Sequence, residues 1–416
     1  MGCGRLVRAA GLSLVLAAGA EAQTSADYGL LYEALWRTVD ESFYDPHFRG
    51  TDWAAVRERY RDRAGLVESD EQFRALAAAM LAEIDASHLH LRAPESSGRR
   101  FGIGALTVRI GEADVVAEVA PLSDARRQGL RAGDRLVSPL ESLSGDLGST
   151  AVVEIERCSG ARERLSIRRE QVSWPLERPG FAWSRLRVAP ATQVGYLRVT
   201  RFDDGAAELA DAAMAELGGA QALIVDVRGN SGGNTSALRL GSYFGRGAEP
   251  AFVLLSRQYL SQLGRPLSAA DVAAAPRVDG AYTDAAVFGA VTANGGGAAF
   301  WTEEPPRRFE GPVFVLIDEN TASAAEGFAW YMRRHTDAVL IGRATAGELL
   351  SSERLPIGGG WVLTVPVHGV WGADGEDYGD RPVPPHEEVP WTREALCEGR
   401  DPVLARALEL AGGAPR

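Results

Sequence analysis

The fold is decided by two segments, Ala222-Leu-Ile-Val-Asp-Val-Arg-Gly-Asn-Ser-Gly-Gly-Asn234 and Val315-Leu-Ile-Asp-Glu-Asn-Thr-Ala-Ser-Ala-Ala-Glu326. Each begins as a short apolar strand and continues directly into small, polar and glycine residues. The second segment puts Ser323 at the point where a helix is expected to begin. A strand-to-helix junction of this kind presents a serine hydroxyl beside backbone amides, as a nucleophile beside an oxyanion site requires.

Around these two segments the chain alternates strands and helices from about Val194 to its end, which predicts an α/β core with mostly parallel strands. The region Leu263–Ala299, rich in Ala, Gly and Asp, interrupts this pattern and is expected to be an inserted loop near the active face. The expected strands are Val194–Thr200, Ala222–Val227, Phe252–Ser256, Val313–Ile317 and Ala338–Ile341, and the expected helices are Ala206–Leu217, Thr235–Phe244 and Ala324–Arg334.

Before this core, from Tyr28 to about Ala86, apolar residues recur every three or four positions, which predicts a bundle of amphipathic helices. Gly50-Thr-Asp52 marks a break and a helix N-cap. The bundle ends at Asp85-Ala-Ser-His-Leu-His90. The side chains expected to face its core are Leu31, Leu35, Val39, Trp53, Val56, Tyr60, Phe73, Leu76, Met80 and Ile84.

Between the bundle and the α/β core the pattern changes to short alternating strands, expected at Ala105–Arg109, Asp114–Val119, Val152–Glu156 and Arg164–Arg168. With Phe101-Gly-Ile-Gly104 and Gly129-Leu-Arg-Ala-Gly-Asp134, this region resembles a PDZ domain. The resemblance implies that an extended peptide binds by strand addition, and that the loop of Phe101, Gly102, Ile103 and Gly104 captures its terminal carboxylate on backbone amides. The alternative is a small structural β-domain that binds nothing.

Composition limits the classes of function. The 416 residues are 45% hydrophobic and 24% charged, as in ordinary globular proteins, and the length predicts two or three domains. The net charge of −12 argues against a nucleic-acid surface, which needs clustered basic residues. Cys158 and Cys397 could form a disulfide in an oxidising compartment, or stay as two free buried cysteines.

The first 22 residues have the three parts of a cleaved secretory signal. Arg5 and Arg8 precede an apolar stretch from Ala9 to Ala20, and Ala20-Glu-Ala22 provides small residues before Gln23. The mature protein is therefore expected to start near Gln23, in the periplasm or outside the cell. The alternative is a membrane anchor, for which the apolar stretch is short.

The glycine-rich turn Asp226-Val-Arg-Gly-Asn-Ser-Gly-Gly233 follows a strand and precedes a helix. Its glycines let the backbone approach a substrate and point N–H groups into a cleft, which suits a phosphate or a developing oxyanion. A phosphate loop would end in Gly-Lys-Ser/Thr, and no lysine is near. The oxyanion interpretation is therefore favoured, with a purely structural turn as the alternative.

Ser323 has two local interpretations. Its hydroxyl would meet the positive end of a helix dipole, which favours a developing negative charge. Alternatively, Thr321 or Ser323 caps the helix and Glu326 completes a capping box, and the local sequence by itself favours this capping role.

Taken together, the motifs resemble the S41 peptidases, the family of C-terminal processing and tricorn core proteases. The matching motifs are Gly195-Tyr-Leu-Arg-Val199, Asp226-x-Arg-x-Asn-x-Gly-Gly233, Thr321-Ala-Ser-Ala-Ala-Glu326, Ala338-Val-Leu-Ile-Gly-Arg-Ala-Thr-Ala-Gly347 and Pro382-Val-Pro-Pro385. The resemblance implies a ClpP/crotonase-like α/β catalytic core with Ser323 as the nucleophile. It also implies that the amides of Ala324 and of Gly232 or Gly233 are the oxyanion donors.

The general base follows from the branch of the family that the chain resembles. The processing peptidases use a lysine in a Thr-x-Gly-Lys turn, but Thr345-Ala-Gly-Glu348 places Glu348 there. The tricorn-like branch instead uses a histidine after the helical bundle, in a Ser-His pair that Ser87-His88 matches. His88 is thus the expected base and Ser87 its orienting partner, since histidine accepts protons near neutral pH. A structural histidine and a His88-x-His90 zinc pair are the alternatives.

A carboxylate also orients the histidine in the tricorn-like branch. There a glutamate precedes a Gly-x-x-x-Pro segment, and the alignment places Gly379 at its position, with Asp377 and Asp380 on either side. Asp380, Asp377 or Glu348 is therefore the expected orienting acid.

These features together predict a secreted or periplasmic serine endopeptidase that uses no metal or cofactor. Its expected partners are unfolded or terminal segments of protein substrates, delivered or gated by the PDZ-like domain. The expected divisions are a signal peptide at 1–22, a helical domain at 23–98, the PDZ-like domain at 99–172 and the catalytic domain at 173–416. Two rival functions stay open: an inactive binding protein on the same fold, and a hydrolase or acyltransferase acting on a small peptide or ester.

Overall fold

The computed structural model describes residues 27–94, 101–172, 180–189 and 192–413. The predicted signal peptide, residues 1–22, lies outside the described residues. Within the described ranges the strands form two six-stranded sheets and one five-stranded sheet. No helix in these ranges is long and apolar enough to cross a membrane.

Three helices open the described chain: α1 (Tyr28–Ser42), α2 (Trp53–Ala64) and α3 (Asp70–Leu81). Each begins at a capping side chain, Asp27, Asp52 or Ser69, that accepts a hydrogen bond from the backbone N–H three residues on. The N-cap predicted at Asp52 is thereby confirmed. All the apolar residues expected to face the core of this bundle are buried.

These helices pack on the first six-stranded sheet and share one hydrophobic core with it. The ring of Phe73 on α3, for example, meets Trp361 of the sheet edge-on at 4.9 Å between centroids. The strands of this sheet are β1 (His90–Arg92), β10 (Pro250–Ser256), β11 (Arg277–Val278), β12 (Gly297–Trp301), β15 (Ser351–Gly358) and β16 (Trp361–Trp371). β1 pairs with β16, so the chain enters this sheet directly after Ser87-His88.

The second six-stranded sheet has the order β17-β14-β13-β9-β8-β7 and contains four of the five strands predicted for the α/β core. The strand predicted at Phe252–Ser256 is instead β10 of the first sheet, where it is antiparallel to both neighbours. Neighbouring strands of the second sheet are parallel except for β7, which is antiparallel to β8. The strands are β7 (Phe181–Ala189), β8 (Thr192–Val199), β9 (Ala222–Asp226), β13 (Val313–Ile317), β14 (Val339–Gly342) and β17 (Glu387–Glu388). The helices are α5 (Ala206–Leu217), α6 (Ala237–Ser242) and α10 (Ala324–His335) on one face, and α12 (Pro402–Gly413) on the other.

The prediction of an inserted loop over Leu263–Ala299 is wrong. The chain there forms α8 (Ala269–Ala273) and α9 (Asp284–Ala293), just after α7 (Arg257–Leu263), together with β11 and β12. Alanine, taken as a sign of a loop, is the strongest helix former. The side chains of Ser268 and Thr283 cap α8 and α9.

The five-stranded sheet is a separate antiparallel unit with the order β2-β3-β4-β5-β6. Its own core includes Ile103, Val116 and Val153. The elements are β2 (Ala105–Ile110), β3 (Ala113–Val119), α4 (Asp124–Arg127), β4 (Arg135–Leu136), β5 (Thr150–Glu156) and β6 (Arg162–Arg168). The four strands predicted here are confirmed, with ends that differ by one or two residues. We call residues 101–168 the small β-domain.

The small β-domain is attached to the rest of the molecule through α11 (Arg393–Cys397). Cys158 and Cys397 form a disulfide, so the alternative of two free buried cysteines is wrong. The Arg393 guanidinium donates to Gly133 O, to Glu156 and to Arg157 O at 2.7–3.0 Å. Leu396 completes an apolar cluster with strands β2 and β3.

Candidate active site

Ser323 lies at the turn from β13 to α10, the strand-to-helix junction expected from the sequence. Its backbone has φ 53° and ψ −125°, a strained conformation for a residue with a side chain. The capping residues Asp27 and Ser69 instead have the extended backbone of an ordinary N-cap. A capping role therefore does not explain the backbone of Ser323. The turn itself is held by Thr321, whose hydroxyl donates to Val227 O at 3.1 Å.

Glu326 has a larger role than the capping box that its position suggests. Its side chain is fully buried and accepts from Ser323 N–H at 3.1 Å. It also accepts from the Thr345 hydroxyl at 2.5 Å and from the N–H groups of Gly347 and Glu348, both at 2.7 Å. Burial raises the pKa of this carboxyl group, while these hydrogen bonds oppose the shift. One carboxylate thus joins the start of α10 to the 345–348 turn.

Two backbone N–H groups at the site form no hydrogen bond with another described residue. Gly232 N–H donates to Asn230 Oδ1 at 2.8 Å, so it is already used. Gly233 N–H and Ala324 N–H have no hydrogen-bond acceptor among the described residues. Of the predicted oxyanion donors, the geometry therefore favours Gly233 and Ala324 over Gly232.

Gly232 is instead required for close approach. With φ 101° it lies so near the nucleophile that a Cβ atom there would be 2.6 Å from Ser323 Cβ and 3.0 Å from Ala324 N. Only glycine fits at this position. The segments Ala222–Asn234 and Val315–Glu326 therefore meet at this point, as expected for a nucleophile and its oxyanion loop.

His88 lies between α3 and β1 and also has a left-handed backbone, with φ 57°. Its Nδ1 is 3.4 Å from Ser87 Oγ, which leaves Nε2 for a reacting group. Burial lowers the pKa of His88, and the charge of Glu348 acts in the opposite direction. The imidazole is therefore held mainly neutral near pH 7, the form that a general base needs.

The expected orienting acids have different positions. Asp380 Oδ1 accepts from Ser87 N–H at 2.9 Å, and the other oxygen pairs with Arg49. Asp377 accepts from Gly379 N–H at 2.8 Å and so holds its own turn. The exposed Glu348 acts on His88 through its charge, and its main-chain oxygen accepts from Ser323 N–H at 2.8 Å.

His88, Ser323, Gly233 and Ala324 line one open cleft of about 600 Å³. Its wall is part polar and part apolar, and the charged side chains in it are Arg201, Asp284, Glu353 and Arg354. The apolar wall consists of Phe252, Leu254, Val287, Phe288, Leu349, Leu350 and Val370. A cleft of this size, with both apolar and polar walls, can take a segment of extended peptide.

Two protein-family profiles match parts of the chain. The sequence profile of peptidase family S41 matches residues 193–389, and the profile of the tricorn protease C1 domain matches residues 25–82. The chain carries a peptidase family S41 domain. This domain spans the Gly232-Gly233 turn, Ser323 and Glu348, whereas His88 lies N-terminal to it.

Two curated relatives and one solved structure extend the S41 match over the chain. Tricorn protease homolog 2 from Streptomyces coelicolor is 26% identical over 430 residues, which are 94% of this chain and 33% of that relative. The chloroplastic carboxyl-terminal-processing peptidase 2 from Arabidopsis thaliana is 26% identical over 424 residues, 90% of this chain and 72% of that one. The photosystem II D1 C-terminal processing protease shares the fold, with a TM-score of 0.57 at 20% identity, covering 93% of this chain and 97% of that one.

The chain therefore spans about a third of the tricorn homolog and most of the processing peptidase. Because carboxyl-terminal processing proteases of family S41 are serine peptidases, the S41 domain at residues 193–389 is a serine-type peptidase domain.

No lysine in this chain can replace the lysine that the processing peptidases use as their base. The sequence contains no lysine at all, and its 44 basic residues are all arginines. A Ser-Lys dyad is thereby excluded for this chain, and the cleft holds two histidines, His88 and His90.

The proposed peptide-binding loop, Phe101–Gly104, does not line the S41 cleft but lies in the small β-domain. Phe101 pairs with Gly145 through two backbone hydrogen bonds of 2.7 and 3.0 Å. Ile103 is buried in the core of that domain, and Gly104 O accepts from Ala120 N–H at 2.9 Å. The structure thus brings His88, Ser323, Gly233 and Ala324 to one cleft and keeps the predicted peptide-binding loop apart from it.

Sequence reasoning missed two residues of the site. Asn230 occurs in the Asp-x-Arg-x-Asn motif, but the motif does not reveal that its side chain occupies the Gly232 amide. Arg49 lies in a loop far from any catalytic motif, and no sequence signal indicates that it reaches Asp380. His90 lines the cleft, and within the described ranges no three His, Cys, Asp or Glu side chains form a group that could hold a metal ion.

Proposed function

We propose that this protein is an extracytoplasmic serine endopeptidase that cleaves unfolded or terminal segments of proteins with Ser323 as nucleophile and His88 as general base. The observation that carries the proposal is the shared cleft of these two residues, each held in a left-handed backbone conformation. Strain of this kind persists only where the surrounding contacts enforce it, and it is concentrated at catalytic sites.

In the first half-reaction, Ser323 Oγ forms a bond to the carbonyl carbon of the scissile peptide while its proton passes to His88 Nε2. The carbonyl oxygen becomes an oxyanion, which the N–H groups of Gly233 and Ala324 stabilise. The intermediate collapses as the C–N bond breaks, and His88 returns the proton to the leaving amine.

In the second half-reaction, water attacks the acyl-enzyme and gives its proton to His88. The new tetrahedral intermediate breaks the bond to Ser323 Oγ, which recovers the proton from His88, and the carboxylic acid product leaves. Ser87 and Asp380 keep the histidine oriented through both steps, while Glu348 influences His88 through its charge.

The small β-domain supports a role in substrate capture. In it, the amides of Gly102, Ile103 and Gly104 donate no hydrogen bond to another described residue. Free amides beside an edge strand, here β2, are what a PDZ domain uses to hold a terminal carboxylate and an extended peptide. We therefore include delivery of a protein C-terminus by this PDZ-like domain in the proposal.

The cellular location rests on two features. Residues 1–22 have the pattern of a cleaved signal, and the bond between Cys158 and Cys397 fits an oxidising compartment. Periplasmic or secreted protein is the proposed form.

The test is labelling of the purified mature protein with a fluorophosphonate, together with cleavage of casein. Wild type is compared with Ser323→Ala, His88→Ala and Glu348→Ala. We expect Ser323→Ala and His88→Ala to lose both labelling and cleavage, and Glu348→Ala to keep them. Folded wild-type protein that is neither labelled nor active would contradict the proposal, and labelling without cleavage of casein would indicate a hydrolase for small peptides or esters.

A further inference from the structure

The loop between α1 and α2 is held in an unusual conformation. Phe48 and Arg49 both have left-handed backbones, with φ 47° and 56°. Among the described non-glycine residues, only these two, together with His88 and Ser323, have a positive φ. The Asp45 carboxylate fixes this loop by accepting from His47 N–H at 2.9 Å and from Arg49 N–H at 2.7 Å.

The loop reaches the segment that carries the general base. The Arg49 guanidinium donates to Asp85 O and pairs with the Asp380 carboxylate. Next to it, the Thr51 hydroxyl donates to Glu83 O at 2.9 Å. The loop between α1 and α2 therefore holds two carbonyl groups, of Glu83 and Asp85, that lie just before Ser87.

Asp380 completes the connection from the other side. Its Oδ1 accepts from Ser87 N–H at 2.9 Å, so Arg49 and Ser87 share one carboxylate. Downstream of His88, the chain is fixed because His90 pairs with Thr364 in β16. The left-handed residue His88 is thus held between the Arg49–Asp380 pair on one side and a strand ladder on the other.

We propose that Arg49 is a positioning residue of the catalytic site, which holds the Asp85–Ser87 segment through Asp380 and thereby directs His88 toward Ser323. This inference rests on the proposed function, in which His88 is the base. Arginine suits the role because one planar guanidinium can serve a carbonyl and a carboxylate at once, whereas the ammonium of lysine is a point charge. The pair is only partly exposed, at 26% for Arg49 and 22% for Asp380, which limits screening by solvent.

The experiment compares wild type with Arg49→Ala and Arg49→Lys. The matched control is Arg57→Ala, which removes an arginine that pairs with Glu33 in the same helical layer but contacts neither Asp380 nor the 85–88 segment. The rate of fluorophosphonate labelling, the kcat and KM for casein and the melting temperature are measured for each.

For Arg49→Ala we expect labelling and kcat to fall by about a hundredfold with KM little changed, since a small misplacement of a catalytic group costs that much. Arg49→Lys should be intermediate, and Arg57→Ala should label at the wild-type rate. Guanidinium ion at millimolar concentration should partly restore the labelling of Arg49→Ala but not alter Arg57→Ala. A purely structural role would not produce this rescue.

A folded Arg49→Ala that labels as fast as wild type would overturn the proposal, and so would equal losses in Arg49→Ala and Arg57→Ala. If Arg49→Ala does not fold, Arg49→Lys decides: slower labelling at an unchanged melting temperature supports positioning, and a wild-type rate refutes it. Failure of the proposed function has a separate signature, because His88→Ala would then label like wild type. The positioning role would fall with it.

Discussion

At the scale of single residues, the site depends on two non-glycine residues with a positive φ, a backbone conformation that favours glycine. Ser323 and His88 come from distant parts of the chain, and both have a left-handed φ. Each is held by contacts that other residues supply. Ser323 N–H donates to Glu326 and to Glu348 O, while Asp380 holds Ser87 before His88 and β16 holds His90 after it. The strain therefore belongs to the site as a whole and not to either residue.

The charge of Glu348 should raise the pH at which the enzyme becomes active, against the larger effect of burial on the pKa of His88. Its carboxylate raises the pKa of His88, while burial and His90 lower it. Glu348→Gln removes that charge, so the pKa of His88 falls further and the neutral base persists to lower pH. We expect the acidic limb of kcat/KM to move to lower pH while the plateau stays near the wild-type rate, measured on casein peptides across the pH range.

Glu353→Gln is the matched control, because Glu353 lines the same cleft but does not influence the pKa of His88. Its acidic limb should coincide with that of wild type. A limb that moves to higher pH in Glu348→Gln would refute this electrostatic role, and loss of the plateau would make Glu348 part of the chemistry.

The sequence could single out Ser323 and His88, the proposed nucleophile and base, because both lie in motifs with restricted spacing, and the structure places both in one cleft. It could not separate Gly232 from Gly233 as an oxyanion donor, because that depends on whether Asn230 turns its side chain back onto the Gly232 amide. It could not identify Arg49 either, since the pairing with Asp380 joins residues that only the folded chain brings together.

At the scale of elements, the start of α10 and the 345–348 turn behave as one unit through Glu326. This fully buried carboxylate accepts four hydrogen bonds, three of them from backbone N–H groups. Since the turn also carries the main-chain oxygen that accepts from Ser323 N–H, the nucleophile is positioned by both ends of this unit.

Glu326→Ala should lower the free energy of unfolding by about 3 kcal/mol or more, because several buried donors lose their acceptor. The measurement is urea denaturation, followed by fluorophosphonate labelling of the fraction that stays folded, which should also fall. Glu208→Ala is the control, since Glu208 lies in the first turn of α5 but is exposed, and it should change stability by less than about 0.5 kcal/mol. Equal stabilities of the two variants would contradict this account.

Helices and strands with a strong period were predictable at this scale. Val313–Ile317 and Ala206–Leu217 have the predicted bounds, because each is closed by residues that end an element sharply. The helices between residues 257 and 299 could not be predicted, because they are short. In addition, α7 has no buried residue, so its sequence shows no helical period of apolar residues.

At the scale of the whole molecule, the small β-domain is joined to the catalytic part by a disulfide, by the hydrogen bonds of Arg393 and by a small apolar contact. Composition alone left the cysteines undecided, because pairing depends on the distance between two folded units. The division into helical, PDZ-like and catalytic domains stays a prediction, and the helices share their core with the first sheet.

Removal of the disulfide should loosen this attachment. In Cys158→Ser with Cys397→Ser we expect the free energy of unfolding to fall by about 2–5 kcal/mol, as for other native disulfides. Limited proteolysis should also release the small β-domain faster, because without the disulfide the hydrogen bonds of Arg393 and the apolar contact of Leu396 are non-covalent and can open. Wild type with a reducing agent should behave like the double variant, and a double variant as stable as oxidised wild type would contradict the prediction.

The disulfide between Cys158 and Cys397 also affects what happens when the peptide chain is cleaved. Cys158 and Cys397 are 239 residues apart and enclose Ser323, whereas His88 lies outside the enclosed stretch. A single cleavage anywhere between the two cysteines, including one made by a second copy of the enzyme, therefore leaves both fragments covalently joined. Such a nicked molecule would migrate as one band without reductant and as two with it, and it could keep its nucleophile and its base in one particle.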